Sequence, residues 1–211
     1  LAAQSPSIEL NFSFSEKIHI ETQLSHTFFM CDSAFLSCSV NLDNKKSICR
    51  ICKFKAKKGF EHFKKRNTNS RLIKIKRDDI LKNQFELEED ERTQIMLGVN
   101  STIGSQLRLD DMSILNERWK KRQKNLYKSS KGQFFYFQKY LSNNNVKNFL
   151  IFNGRLSCAR PLILSSKQNK IDFMLFDAAL NGRTPMYSKN EMFHSIEFEK
   201  RNSLKTYIKH F

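Results

Sequence analysis

Residues 146–176 constrain the fold more than any other stretch of the chain. VKNFLIF is followed by NGR, then by a helical pattern over residues 156–168, then by IDFMLF. Two apolar runs of strand length on either side of a helix-length segment read as a strand–helix–strand unit. Strands joined this way lie parallel, with a right-handed crossover. Asn153 and Gly154 supply the tight turn, and Pro161 is tolerated because it falls in or near the first turns of the helix. Ligands of such sheets gather at the carboxyl ends of the strands. Asn153, Gly154 and Arg155 are therefore expected at one mouth, with Asp177 at the adjacent one. The fold class that follows is α/β, with a parallel sheet and flanking helices.

The rest of the chain reads less sharply. Residues 8–14 (IELNFSF) alternate apolar and polar, which predicts a strand, and Ser15 would cap a short helix over residues 16–24. TFFM at residues 27–30 predicts a buried strand ending at Cys31. A basic helix is expected over residues 53–65, with Phe54, Phe60 and Phe63 as anchors. Residues 72–75 read as a short strand or a helix start, and residues 78–97 as helix broken near Phe85. LGVNSTIGS, residues 97–105, reads as a loop. Gly98, Ser101, Thr102 and Gly104 lack Walker spacing, so that loop is read as structural. Two further helices are expected over residues 111–127 and 131–141, the first capped by Asp110 or Asp111.

The 211 residues can bury a sizeable core. The longest apolar runs are about four residues, far below the roughly 20 of a membrane-spanning helix. No basic, apolar, small-residue pattern of a signal peptide opens the chain. The formal net charge is +16, and most of it is local. Residues 45–77 carry fourteen Lys and Arg against one acid, Glu61, for a net +13. An acidic run follows at Glu86, Glu88, Glu89, Asp90 and Glu91. Such a block suits phosphate backbones or anionic headgroups, or it is a solvated helix face.

Four of the five cysteines fall within that region and the segment before it. Cys31, Cys38, Cys49 and Cys52 form C-x6-C-x10-C-x2-C. Four soft thiolates in this spacing suit a tetrahedral Zn site without an open position, hence a structural one. An iron–sulfur cluster, buried thiols or partial disulfides are the other readings. Lys45, Lys46, Arg50 and Lys53 would lower the thiol pKa values. The odd cysteine count argues against a secreted disulfide framework. Cys158 stands apart and reads as a small buried residue on a helix.

Several segments come in an order with a wider resemblance. They are HIETQL (residues 19–24), CDSAFLSC (31–38), CRICKFKAKKGFEHF (49–63), GVNSTIGSQLR (98–108), FNGR (152–155) and the stretch 176–194. The chain resembles the N-terminal region of bacterial capsular polysaccharide biosynthesis proteins, which look like GT-B-type glycosyltransferases. The resemblance covers most of residues 17–195. It implies a Rossmann-like acceptor-side domain over residues 1–197, with a cysteine-rich basic insert at about 31–77. Residues 198–211 would begin a connection to a second domain that carries most of the nucleotide-sugar site. In that family a longer helix and a further strand separate the HIETQL-like segment from the cysteine segment. Here only Ser25 and His26 precede TFFM, so a shortened or missing stretch is expected there.

The resemblance implies transfer of a sugar from a nucleotide-sugar to a polysaccharide or lipid-linked glycan acceptor. The expected location is the bacterial cytoplasm, at the inner face of the membrane. A base from this domain would take the acceptor hydroxyl's proton, and His19, Glu21 and Asp177 are the candidates. Asn153, Gly154, Arg155, Arg160, Arg183 and His194 would hold the anionic groups. A different class of function also fits the charge: a zinc-stabilised nucleic-acid-binding protein, with Phe54, Phe60 and Phe63 stacking on bases. A third reading is an α/β scaffold with no chemistry of its own.

Overall fold

The computed structural model describes residues 7–82, 85–109, 111–178 and 185–192. Six helices and five strands follow in the order α1 (Ser7–Thr22), β1 (Thr27–Cys31), α2 (Lys46–Arg66), β2 (Arg71–Ile75), α3 (Arg77–Leu81), α4 (Glu89–Leu107), α5 (Glu117–Asn143), β3 (Asn148–Phe152), α6 (Arg160–Gln168), β4 (Asp172–Ala178) and β5 (Pro185–Lys189). The strands form two small sheets. β1 pairs with β2 in parallel, Thr27 opposite Arg71. β3 pairs with β4 in parallel, Phe152 opposite Phe176, and β5 closes the outer edge antiparallel. The strand–helix–strand unit predicted at residues 146–176 is therefore present, and a second one, β1–α2–β2, stands beside it. The chain is mixed α/β with short parallel sheets.

Three expectations fail, each for a packing reason. Residues 8–14 are helix, not strand, because α1 has neighbours on two sides. Phe12 packs on Phe28 and Phe63, with ring centroids 5.0 and 5.7 Å apart, while Phe14 stacks on Phe176 at 5.5 Å. Two apolar residues two apart face opposite sides of a helix, so contacts on both sides imitate the period of a strand. Residues 97–105 belong to α4. Its Thr102 and Ser105 hydroxyls donate to the carbonyls one turn back, at 3.0 and 2.7 Å. Gly98 lets α4 approach α6, since a Cβ there would stand 2.8 Å from the Arg160 Cβ. The small residues that resemble a loop are those that allow close helix packing.

The third failure concerns α5, which runs unbroken through the expected gap at residues 128–130. Its cap is Asn116, whose side chain accepts from the Trp119 amide at 3.2 Å, not Asp110 or Asp111. Ser129, Ser130 and Gln133 are buried because they serve the loops. The Ser129 hydroxyl accepts from the Leu36 amide at 3.0 Å, and Ser130 and Gln133 donate to the Ser157 and Cys158 carbonyls, both at 2.8 Å.

The two sheets share one core. Phe137 of α5 is 1% exposed and lies against Phe29 of β1 and Phe149 of β3, at 4.9 and 5.4 Å. Ile75, Ile151, Ile163, Phe173 and Leu175 complete that cluster. A second cluster joins α4 and α5 through Ile95, Val99, Ile103, Leu126 and Phe134. Among the described residues, no helix is long and apolar enough to cross a membrane.

Candidate functional site

The turn after β3 is built as its residues require. Asn153 and Gly154 both hold positive φ, 64° and 84°. Asparagine and glycine tolerate this region because they bond locally or carry no Cβ. Gly154 is also hemmed in, since a Cβ there would lie 2.8 Å from the Leu175 Cδ1. Asn153 donates from Nδ2 to Asp177 Oδ2 at 2.6 Å, tying together the carboxyl ends of the two parallel strands. Its Oδ1 accepts from the Arg155 amide at 3.2 Å. Arg155 is exposed, and its Nη2 donates to Ser105 Oγ at 3.2 Å.

The other proposed site residues are not gathered here. Arg160 is turned toward α4, where its Nη2 donates to Gln94 Oε1 at 2.8 Å, and burial lowers its pKa. It supports the helix contact rather than the mouth. His19 and Glu21, expected near the carboxyl end of a first strand over residues 8–14, lie in the last turns of α1 because that segment is helix. The His19 Nδ1 is 2.8 Å from the Leu24 carbonyl, and Glu21 is exposed beside the amino ends of β1 and β3. Arg183 and His194 lie outside the described residues.

Beside the turn is a feature that sequence spacing only half revealed. All five cysteines line one cavity of about 170 Å³ at the carboxyl ends of β1 and β3. Cys31 ends β1, Cys38 sits in the loop that follows, Cys49 and Cys52 begin α2, and Cys158 follows the turn after β3. Cys158 is therefore not a helix residue packed alone. Its sulfur is 3.2 Å from Ser39 Oγ, which joins the loops after β1 and β3. Nothing in the sequence signalled it, because β1 and β3 belong to different sheets and their following loops meet only in the folded chain.

The loop that carries the thiols is held tightly. Cys38 and Asn41 exchange backbone hydrogen bonds of 3.2 and 3.0 Å. Asn41 accepts from the Lys45 amide and donates to the Lys45 carbonyl, both at 2.9 Å. Asn41 Nδ2 also donates to Cys49 Sγ at 3.2 Å. Arg122 of α5 grips Asp43 with two hydrogen bonds of 2.7 Å and lies over the Trp119 ring at 4.3 Å. That fork lowers the Asp43 pKa.

Cys31 and Cys38 do not have the character expected from nearby lysines. Burial raises the Cys31 and Cys158 thiols and pushes Cys38 up to about 12. Lys53 is committed to Asp32 at 2.9 Å. The cysteines are free thiols. Among the described residues, no three His, Cys, Asp or Glu side chains stand close enough to hold one metal ion. Cys31, Cys38, Cys49 and Cys52 thus face a common space without closing a tetrahedral site.

The basic block also divides. Phe60 and Phe63 are buried against Phe28, so they are core residues and not base-stacking platforms. Phe54 alone of the three faces outward, at 63% exposure. Lys57 and Lys58 pair with Glu61 at 3.8 and 3.2 Å, while Lys55, Lys64 and Lys65 are exposed on α2. No protein-family model, curated protein or solved structure matches this chain.

Proposed function

We propose that the chain is the acceptor-side domain of a glycosyltransferase in surface-polysaccharide assembly, with a Rossmann-like sheet as its frame. The donor is a nucleotide-sugar, and the acceptor is an anionic or lipid-linked glycan. What supports the reading is the Asn153–Asp177 hydrogen bond across two parallel strand ends, with exposed Arg155 beside it. Strand ends of this kind are where α/β proteins hold ligands.

The residues divide the work as follows. Arg155 holds a phosphate or carboxylate, for which its planar fork is suited. Asp177 takes the proton of an acceptor hydroxyl, and Asn153 fixes the orientation of its carboxylate. The exposed lysines of α2 form a cationic face toward an anionic glycan or a membrane surface. Calorimetric titration with uridine, guanosine and cytidine nucleotide-sugars and a sulfated oligosaccharide tests the proposal. At least one should bind, and Arg155→Ala should weaken it about tenfold or more, as expected for a lost charge-assisted hydrogen bond. No binding by any of them at millimolar concentration would sink the reading.

The same proposal gives the thiol cavity a structural Zn²⁺ on Cys31, Cys38, Cys49 and Cys52. The side chains would turn inward to about 2.3 Å from the ion and release their protons. Protein purified without chelator should then contain about one Zn per chain. Removing the metal, or replacing Cys49 and Cys52 by Ser, should lower the melting temperature. A metal content far below one per chain would exclude the site.

A further inference from the structure

Helix α2 turns one side to the core and the other to solvent, and the solvent side is not uniformly polar. Ala56, Phe60 and Phe63 are buried. Ser47, Ile51, Phe54 and Lys58 follow one another at steps of four, three and four residues, so they lie along one line of the helix, on the far side from Ala56. Ile51 is 58% exposed and Phe54 63%. Arg50 and Lys57 stand on one shoulder of this line and Lys55 on the other, all exposed. Lys64 and Lys65 carry the basic face on to the end of the helix. The acid on α2 is Glu61, which Lys57 and Lys58 reach at 3.8 and 3.2 Å. Lys53 and Arg66 stand apart from this face, tied to Asp32 and Glu16 at 2.9 and 2.8 Å.

A single exposed apolar side chain is ordinary. Two of them one turn apart, with cations on both shoulders, select among partners of negative charge. Nucleic acid offers phosphates and flat bases, but Ile51 has no flat face to stack, and Phe60 and Phe63 are spent in the core. An acidic groove on a protein takes a longer apolar stripe, with anchors repeated over several turns. Here the line passes to Ser47 on one side of the pair and to Lys58 on the other. An anionic bilayer presents phosphates above an apolar layer, the order in which the basic shoulders and the apolar pair stand. The long stems of Lys and Arg keep their charged ends at the headgroups while the shorter apolar side chains go deeper.

We propose that α2 is a membrane-surface helix. It lies flat on an anionic bilayer, with Ile51 and Phe54 at the acyl boundary and Arg50, Lys55, Lys57 and Lys58 on lipid phosphates. This deepens the reading of α2 as a cationic face and rests on it, but not on Arg155 or the transfer reaction.

The test is co-sedimentation of the full 211-residue chain with vesicles of phosphatidylglycerol and phosphatidylcholine in equal parts. The chain should pellet with them, and bind phosphatidylcholine alone about tenfold more weakly or worse. Ile51→Ser combined with Phe54→Ser should weaken binding about tenfold. Ile114→Ser, at a position 63% exposed outside α2, should leave it unchanged. Lys55→Glu combined with Lys58→Glu should abolish it. No pelleting with the anionic vesicles at low salt would overturn the proposal. Unchanged pelleting of the double serine variant would overturn it too, because charge alone would then hold the chain. So would retention of a single-stranded RNA that the double serine variant loses, which would make this face a nucleic-acid site. A clear fall in the melting temperature of that variant would mean that the chain's own residues already cover the pair, with the same consequence. Nucleotide-sugar titration without vesicles reads Arg155, so either proposal can fail without the other.

Discussion

Replacing Phe137 with alanine should cost the fold about 3–5 kcal/mol, the range for deleting a fully buried aromatic side chain. The ring is 1% exposed and touches Phe29, Phe149 and Tyr136. It meets a strand of each sheet through ring contacts. It also borders the thiol cavity, so its loss enlarges a space that the core does not fill. Collapse around the missing ring is hindered by the covalent frame of β1 and β3, so the upper part of the range is expected. At this chain length about 2–4 °C of melting temperature accompanies each kcal/mol, so a fall of roughly 10 °C should be seen by calorimetry. Phe54→Ala is the control. That ring is 63% exposed, and its loss should stay within about 0.5 kcal/mol. Equal effects of the two substitutions would mean that α5 does not join the two sheets.

Replacing Gly132 with alanine should destabilise the protein by about 2 kcal/mol, although alanine is the better helix former. Two effects oppose each other. In the interior of an exposed helix the change would gain about 1 kcal/mol. At Gly132 the new methyl group would fall on the Ile80 carbonyl oxygen and against the Ile80 side chain. Ile80 is fully buried in α3, so it cannot move aside without opening the core. Overpacking of this kind costs about 1–3 kcal/mol and sometimes more, and a backbone oxygen yields less readily than a side chain. Urea denaturation would read the difference. Lys124→Ala, at an exposed position of the same helix, should change stability by less than about 0.5 kcal/mol. A neutral or stabilising Gly132→Ala would mean that α3 does not rest on α5 at this point.

These two positions also show where sequence reasoning stops. Phe137 is recognisable as a core residue from its helical spacing with Phe134 and Leu141. What cannot be read is that it touches strands 108 and 12 positions away, because spacing describes a face and not its partner. The pattern of residues 128–132 reads as a gap between two helices and the start of the second. Yet Ser129, Ser130 and Gly132 are buried, where α5 meets the loops after β1 and β3 and, at Gly132, the Ile80 backbone of α3. The misreading of residues 97–105 has the same origin. Small polar residues mark a loop when water satisfies them and a tight helix crossing when a neighbour does.

The candidate site was legible in proportion to how local it is. Asn153, Gly154, Arg155 and Asp177 fall where the strand–helix–strand pattern put them, because that unit is set by contiguous residues. His19 and Glu21 went astray because their placement depended on whether residues 8–14 paired with a strand or lay across two sheets. The cysteine spacing was read as a metal site, and the structure places Cys31, Cys38, Cys49 and Cys52 on the lining of one cavity. It missed Cys158, which reaches that space only because β1 and β3 end side by side.

By itself the sequence determined the strand–helix–strand unit, the turn with its two left-handed residues, the basic helix and the thiol-rich loop. Each follows from the period of apolar residues, from the backbone tolerance of Asn and Gly, or from composition within about twenty residues. The tertiary structure alone decided that α1 is a helix, that α5 is unbroken and that five thiols share a cavity. The physical reason is common to all three. They depend on which surface meets which across long stretches of chain, and local pattern carries no information on distant partners.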